Sequence, residues 1–178
     1  MPQSFFGKIL HVDLTRGETW VEQLDEVLYR RYLGGSALAS HYLLNLVKPG
    51  IDPLGPENPL IIMTSVINGL ALSGANRYSA AAKSPLTGGF GEAEAGGYWG
   101  PELKRTGFDG MVVHGSSDKP VYLYVHDGEC EIRDAAKYWG KLSDEVQYGL
   151  EEELDDKRIC VLQTGVAVEN GHSRRERA

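Results

Sequence analysis

The sequence has 178 residues, 42% of them hydrophobic and 24% charged, with a formal net charge of −7. That is enough chain for one domain with a real core, and the balance excludes collagen-like, low-complexity and disordered classes over most of the length. The acidic surplus argues against non-specific nucleic-acid binding, and no apolar run reaches the roughly 18 residues of a membrane span.

The opening MPQSFFGKILHVDL lacks the basic start and long apolar stretch of a secretory leader. With only Cys130 and Cys160, the chain cannot supply a four-cysteine iron–sulfur or zinc site. The expectation is a cytoplasmic protein with neither nucleic acid nor membrane as a partner.

Residues 9–14 and 19–21 are strand-like around the turn Thr15-Arg16-Gly17, which predicts a hairpin. Asp25 is placed to cap a helix through Val27, Leu28 and Tyr32 that stops at Gly34-Gly35. Ser36 is placed to cap a second helix, with Leu38, Tyr42, Leu43 and Leu46 at helical spacing before Lys48-Pro49-Gly50. A proline-rich loop, IDPLGPENP, leads to a short buried strand at 60–63. RYSAAAK at 77–83 is a further strand, and Pro85 and Gly88-Gly89 break regular structure after it. The stretch from Gly96 towards Lys104 reads as a helix with a glycine-rich start, and 111–114 as a strand. A second hairpin is expected from 121–125 and 131–133 across Asp127-Gly128. Ser143 is placed to cap a charged helix to about Leu154, and 159–162 reads as a last strand. Strands in antiparallel pairs with interspersed helices give an α+β fold of antiparallel sheets. The pattern sets a domain over 1–170 and a polar, basic tail over 171–178.

Six of the residues from 88 to 100 are glycine. Glycine costs backbone entropy, so such a concentration needs a reason. One reason is close approach to an anion, with bare N–H groups pointing at it, a forked charge from Arg77 and a point charge from Lys83. Tight turns and close sheet packing explain the glycines as well, and the residues by themselves leave both readings open. A G-x-x-x-x-G-K-[ST] motif is absent, and GGFGEAEAGG contains no G-x-G-x-x-G.

Other chemistry finds little support. The histidines 11, 41, 114, 126 and 172 form no zinc pattern, and His114 reads as a strand-end residue. Cys130 and Cys160 read as buried thiols on strands. Tyr98 and Trp99 fit either core packing or stacking on a ligand. Ser84 and Thr87 fit turn capping or phosphate contact, and Glu92 and Glu94 fit a solvated loop.

The string SGANRYSAAAKSPLTGGFGEAEAGGYWGPELKRTGFDGMVVHGSSDKPVYLYV resembles the N-terminal domain of the tungsten-containing aldehyde ferredoxin oxidoreductases. FFGKILHVDLTRGE, YLGG at 32–35, DPLGPENPLII at 52–62 and EIRDAAKYWGK at 131–141 match it in the same order, so the likeness covers about residues 5–170. The resemblance implies a base of β-sheets carrying a tungsten bis-pterin cofactor (tungstopterin) with magnesium between the pterin phosphates. It places cofactor contacts at Arg77, Glu94, Ala95, Gly96 and Gly97, with a magnesium contact at Glu94 through the backbone. Glu94 departs from the family's asparagine. The family's [4Fe–4S] cluster and substrate pocket belong to later domains, and its chains are much longer than this one. The resemblance therefore implies the cofactor-binding portion of an oxidoreductase that turns aldehydes into carboxylic acids with ferredoxin as acceptor. Its partners would be the remaining domains or a partner subunit, ferredoxin and the aldehyde. The alternative is a non-catalytic binding or assembly module that keeps the fold without cofactor.

Overall fold

The computed structural model describes residues 4–166. The predicted tail at 171–178, and the domain end at 170, lie outside the described residues. The fold is α+β, as expected.

Strands β1 (Lys8–Asp13) and β2 (Glu18–Gln23) form the first hairpin. Helix α1 (Glu26–Tyr32) follows, capped by Asp25, whose carboxylate accepts the Val27 N–H at 3.0 Å. Helix α2 (Gly35–Leu46) starts earlier than its serine suggested: Gly34, not Ser36, is the N-cap. The reason is steric. Gly34 has φ +88°, and a Cβ there would lie 2.3 Å from the Thr64 carbonyl oxygen, so only glycine lets the helix start against the neighbouring strand. Strands β3 (Leu60–Thr64), β4 (Tyr78–Lys83) and β5 (Phe90–Ala95) then build one side of the main sheet.

Helix α3 (Trp99–Arg105) is shorter than the expected 96–104, because Gly96 and Gly97 form the turn that leads into it. Strand β6 (Gly110–His114) returns to the sheet, and β7 (Val121–His126) pairs with β8 (Glu129–Asp134) in a separate hairpin. Helix α4 (Ser143–Leu154) is capped from Leu142, not Ser143: the Leu142 N–H donates to the Glu145 carboxylate at 2.9 Å. No strand forms at 159–162. Ile159 and Val161 pack against Tyr138, Val146 and Leu150, so their apolar pattern reflects burial without a ladder.

The main sheet has six strands in the order β2-β1-β6-β3-β4-β5. All its pairs are antiparallel except β1 with β6, which a long crossover makes parallel. Alternation along the strands sends Ile9, Ile61, Met63 and Val112 to one face, under Tyr29 of α1 and Leu38, Tyr42 and Leu43 of α2. Leu10, Val12, Ile62 and Met111 face the other way, under Leu103, Phe108 and the β7–β8 hairpin. These covers end at β4. Strand β5 is thus one of the two edges of the sheet, and most of its residues are exposed.

Candidate functional site

The site predicted from sequence gathers where β4 begins and β5 ends. Register places Tyr78 opposite Ala95 and Ser79 opposite Glu94, so the residues just outside this ladder, Arg77 and Gly96, are brought side by side. The Arg77 side chain runs along Gly96: its Cδ and Nε lie 3.6 Å from where a Cβ on Gly96 would stand. A Cβ there would stand in ordinary van der Waals contact with the arginine. Gly97 follows with φ +89° and open space in the Cβ direction. Arg77 is exposed, and its guanidinium makes no hydrogen bond or ion pair with another described residue. It is a permanent, uncommitted cation beside bare main chain.

The other predicted residues divide. Ala95 is half-buried with the Tyr78 cluster, so it has only main chain to offer a ligand. Glu94 is exposed on the edge strand and is the one carboxylate among the predicted contacts. Half the backbone N–H and C=O groups of β5 point away from β4, as on any edge strand. Among the described residues no three or more His, Cys, Asp or Glu side chains are arranged to hold a metal ion. A cation at this place would need ligand oxygens and backbone carbonyls rather than a carboxylate cage.

Lys83 is removed from the phosphate role that its position suggested: its Nζ donates to the Ile51 carbonyl at 2.7 Å and ties down the proline-rich loop. Ser84 and Thr87 cap turns, their hydroxyl oxygens accepting N–H groups of Leu86, Thr87 and Gly89. Trp99 packs on Tyr78 with ring centroids 4.9 Å apart, while Tyr98 next to it is 78% exposed. The surroundings of both cysteines disfavour the thiolate. Burial pushes Cys130, on β8, up to about 11, and raises Cys160, which lies outside any strand.

Sequence reading missed Asn68. It is buried, and its Nδ2 donates to the Arg77 carbonyl at 2.7 Å. An asparagine in a glycine-rich loop reads as turn chemistry, and nothing local signals its burial.

Comparison with known proteins gives this arrangement a context. The family model described as aldehyde ferredoxin oxidoreductase, N-terminal domain, matches residues 9–174. The chain belongs to that family. It is 43% identical over 166 residues to the tungsten-containing aldehyde ferredoxin oxidoreductase of Pyrococcus abyssi, a match covering 93% of this chain and 27% of that protein. It is 37% identical over 140 residues to the aliphatic sulfonate oxidoreductase, WOR-like subunit, of Pyrococcus furiosus, covering 77% of this chain and 22% of that one. Among solved structures, the active-site complex BamBC of benzoyl coenzyme A reductase with 1,5-dienoyl-CoA contains a chain that superposes with a TM-score of 0.85. That chain is 35% identical, and the match covers 89% of this domain and 24% of it. The chain thus spans about a quarter of the length of these relatives, and as an aldehyde ferredoxin oxidoreductase N-terminal domain its α+β architecture is the expected one.

Proposed function

We propose that this chain is the cofactor-anchoring portion of a tungstopterin oxidoreductase, holding the phosphate end of the cofactor at Arg77 and the main chain of 94–97. The observation that supports it best is the uncommitted Arg77 guanidinium lying along Gly96, beside an edge strand with open backbone groups. A planar, always-charged fork next to side-chain-free backbone suits a dianionic phosphate better than a neutral ligand. Gly96 and Gly97 let the phosphate come within hydrogen-bond reach of main chain, and Ala95 adds no bulk. Magnesium at Glu94 would be held through the carbonyl, with the exposed carboxylate turned to solvent. When bound, the tungsten centre supplies the oxygen-transfer and electron chemistry, and the residues here supply binding and orientation. Aldehyde oxidation with ferredoxin as acceptor is the activity proposed for the complete assembly, whose remaining domains or partner subunit would hold the [4Fe–4S] cluster and the substrate. A cytoplasmic location goes with that acceptor, and no described helix is long and apolar enough to cross a membrane.

Glu94 favours a second reading, a binding or assembly module without cofactor, because a carboxylate beside a phosphate site is electrostatically unfavourable. One measurement separates the two. The chain, assembled with the polypeptide that completes it, is assayed for tungsten and pterin per chain. Stoichiometric tungsten supports anchoring, and a folded, metal-free assembly supports the module. Arg77→Ala should lower tungsten retention about 10-fold, the scale of losing a group that organises a metal site. Retention equal to the parent protein removes Arg77 from the phosphate role.

A further inference from the structure

Residues 65–77 carry the chain from β3 to β4 and deliver Arg77 to the sheet edge. Two asparagines fasten this loop crosswise. Asn76 Oδ1 accepts the Gly69 N–H at 3.1 Å, and Asn68 Nδ2 donates to the Arg77 carbonyl at 2.7 Å. They are not equivalent. Asn76 is half-buried, whereas Asn68 is only 4% exposed, and its Oδ1 is buried without accepting a hydrogen bond from any described residue.

Gly100, in the first turn of α3, lies against the same amide. A Cβ at Gly100 would come within 2.7 Å of Asn68 Nδ2 and 3.3 Å of the Tyr78 ring. The Asn68 amide is thus wedged between the backbone of Arg77 and the start of α3. The Gly96-Gly97 turn leads into that same start of α3 from β5, the strand paired with β4 beside Arg77, so the amide touches both sides of the candidate site.

A buried amide with an unmade hydrogen bond is a net cost to the fold, and an apolar side chain of similar volume would fill the space without it. Such a side chain could not hold the Arg77 carbonyl. A carbonyl can be bound only by a donor, so the contact also fixes which end of the amide faces Arg77.

We infer that Asn68 is the positioning residue of this site. It clamps the main chain at Arg77 so that the guanidinium lies along Gly96, and it thereby sets how firmly an anionic cofactor is held. The inference rests on the reading of Arg77 as the anion contact. Asn68 acts through Arg77 and touches no ligand itself.

A double-mutant cycle on the assembled protein, read as tungsten and pterin per chain, tests this. Asn68→Asp keeps the shape and loses the donor. Gly100→Ala presses on the amide without changing it, and serves where the aspartate variant fails to fold. Each should lower tungsten retention about 10-fold, as loss of a second-layer contact does at metal sites. Neither should lower it further in an Arg77→Ala background. Full retention in Asn68→Asp and Gly100→Ala, with Arg77→Ala impaired, overturns the positioning role and leaves the reading of Arg77 standing. Losses that add to that of Arg77→Ala show a general structural effect and also overturn it. If Arg77→Ala itself retains tungsten, the anion-contact reading fails and the inference goes with it.

Discussion

His114 ends β6 in a stack of three rings: its centroid lies 5.3 Å from that of His11 and 5.5 Å from that of Trp20, all within 15° of parallel. Its Nε2 meets His11 Nδ1 at 2.9 Å, and the far nitrogen of His11 meets the Glu22 carboxylate at 2.9 Å, which also accepts the Tyr42 hydroxyl at 2.6 Å. One imidazole must donate and the other accept, so both rings cannot be charged at once. Burial, and then the neighbouring His11, hold His114 below its ordinary value of 6.5, while Asp13 pulls weakly the other way. With the folded form binding the proton less tightly than the unfolded chain, the stabilisation is complete above 6.5 and is lost as pH falls through the lowered value. The melting temperature should therefore drop between about pH 7 and pH 5, the range in which histidine titrates. In His114→Gln that dependence should be shallower, and equal slopes in thermal scans of the two proteins would exclude His114 as its source. The sequence marked His114 as a strand-end residue, but not its partner. His11 and His114 are distant in sequence, and only the parallel β1–β6 register brings them together.

Elements are joined most firmly at Asp109, in the turn between α3 and β6. Its Oδ2 accepts the N–H groups of Phe6 and Gly7, both at 2.8 Å, and the Tyr29 hydroxyl at 2.9 Å. Lys104 lies 3.5 Å away and donates to the carbonyls of Ser4 and Ser65. One buried ion pair thus ties the start of the chain, α1, α3 and the end of β3 together. Burial pushes the Lys104 ammonium down, and Asp109 pulls it back up. Asp109→Ala leaves that ammonium buried without its counter-ion and should cost about 3–5 kcal/mol, read as a lower urea midpoint. Lys104→Met in the same background should restore part of the loss; no recovery would mean that the N-terminal hydrogen bonds, not the charge, carry the effect. Periodicity made both hairpins and the long helices legible, because apolar spacing records which face is buried. Strand β5 was not legible. FGEAEA has no β-branched residue, and the ladder to β4 holds it rather than its own propensity. The Asp109 knot and the Asn68 clamp were hidden for a related reason: the burial of a polar side chain is decided by segments far away in sequence.

At the scale of the molecule, the helices and the β7–β8 hairpin cover the sheet from β1 into β4 and leave β5 and the outer part of β4 open. Leu60, Ala80, Ala82, Gly91 and Ala93, with Lys83 and Glu92 at its margin, line a shallow trough of about 240 Å³ there, with exposed Leu86 on the turn between the two strands and exposed Phe90 at the start of β5. Relatives about three and a half times as long have further polypeptide with which to cover such a face, and no segment of residues 4–166 covers it here. Contiguous apolar surface of this kind drives association. Edge-to-edge pairing of two β5 strands is opposed by Glu92 and Glu94, which would bring like charges together across the new ladder. Association should therefore run through the trough and persist at high salt, since burial of methyl groups is not screened as ion pairs are. Sedimentation velocity of the chain should show a concentration-dependent shift to dimer or larger species. Ala93→Lys, which plants a charge in the trough without altering the ladder to β4, should return it to monomer. A monomer at every concentration, or association abolished by salt, would show that the trough does not hold the copies together.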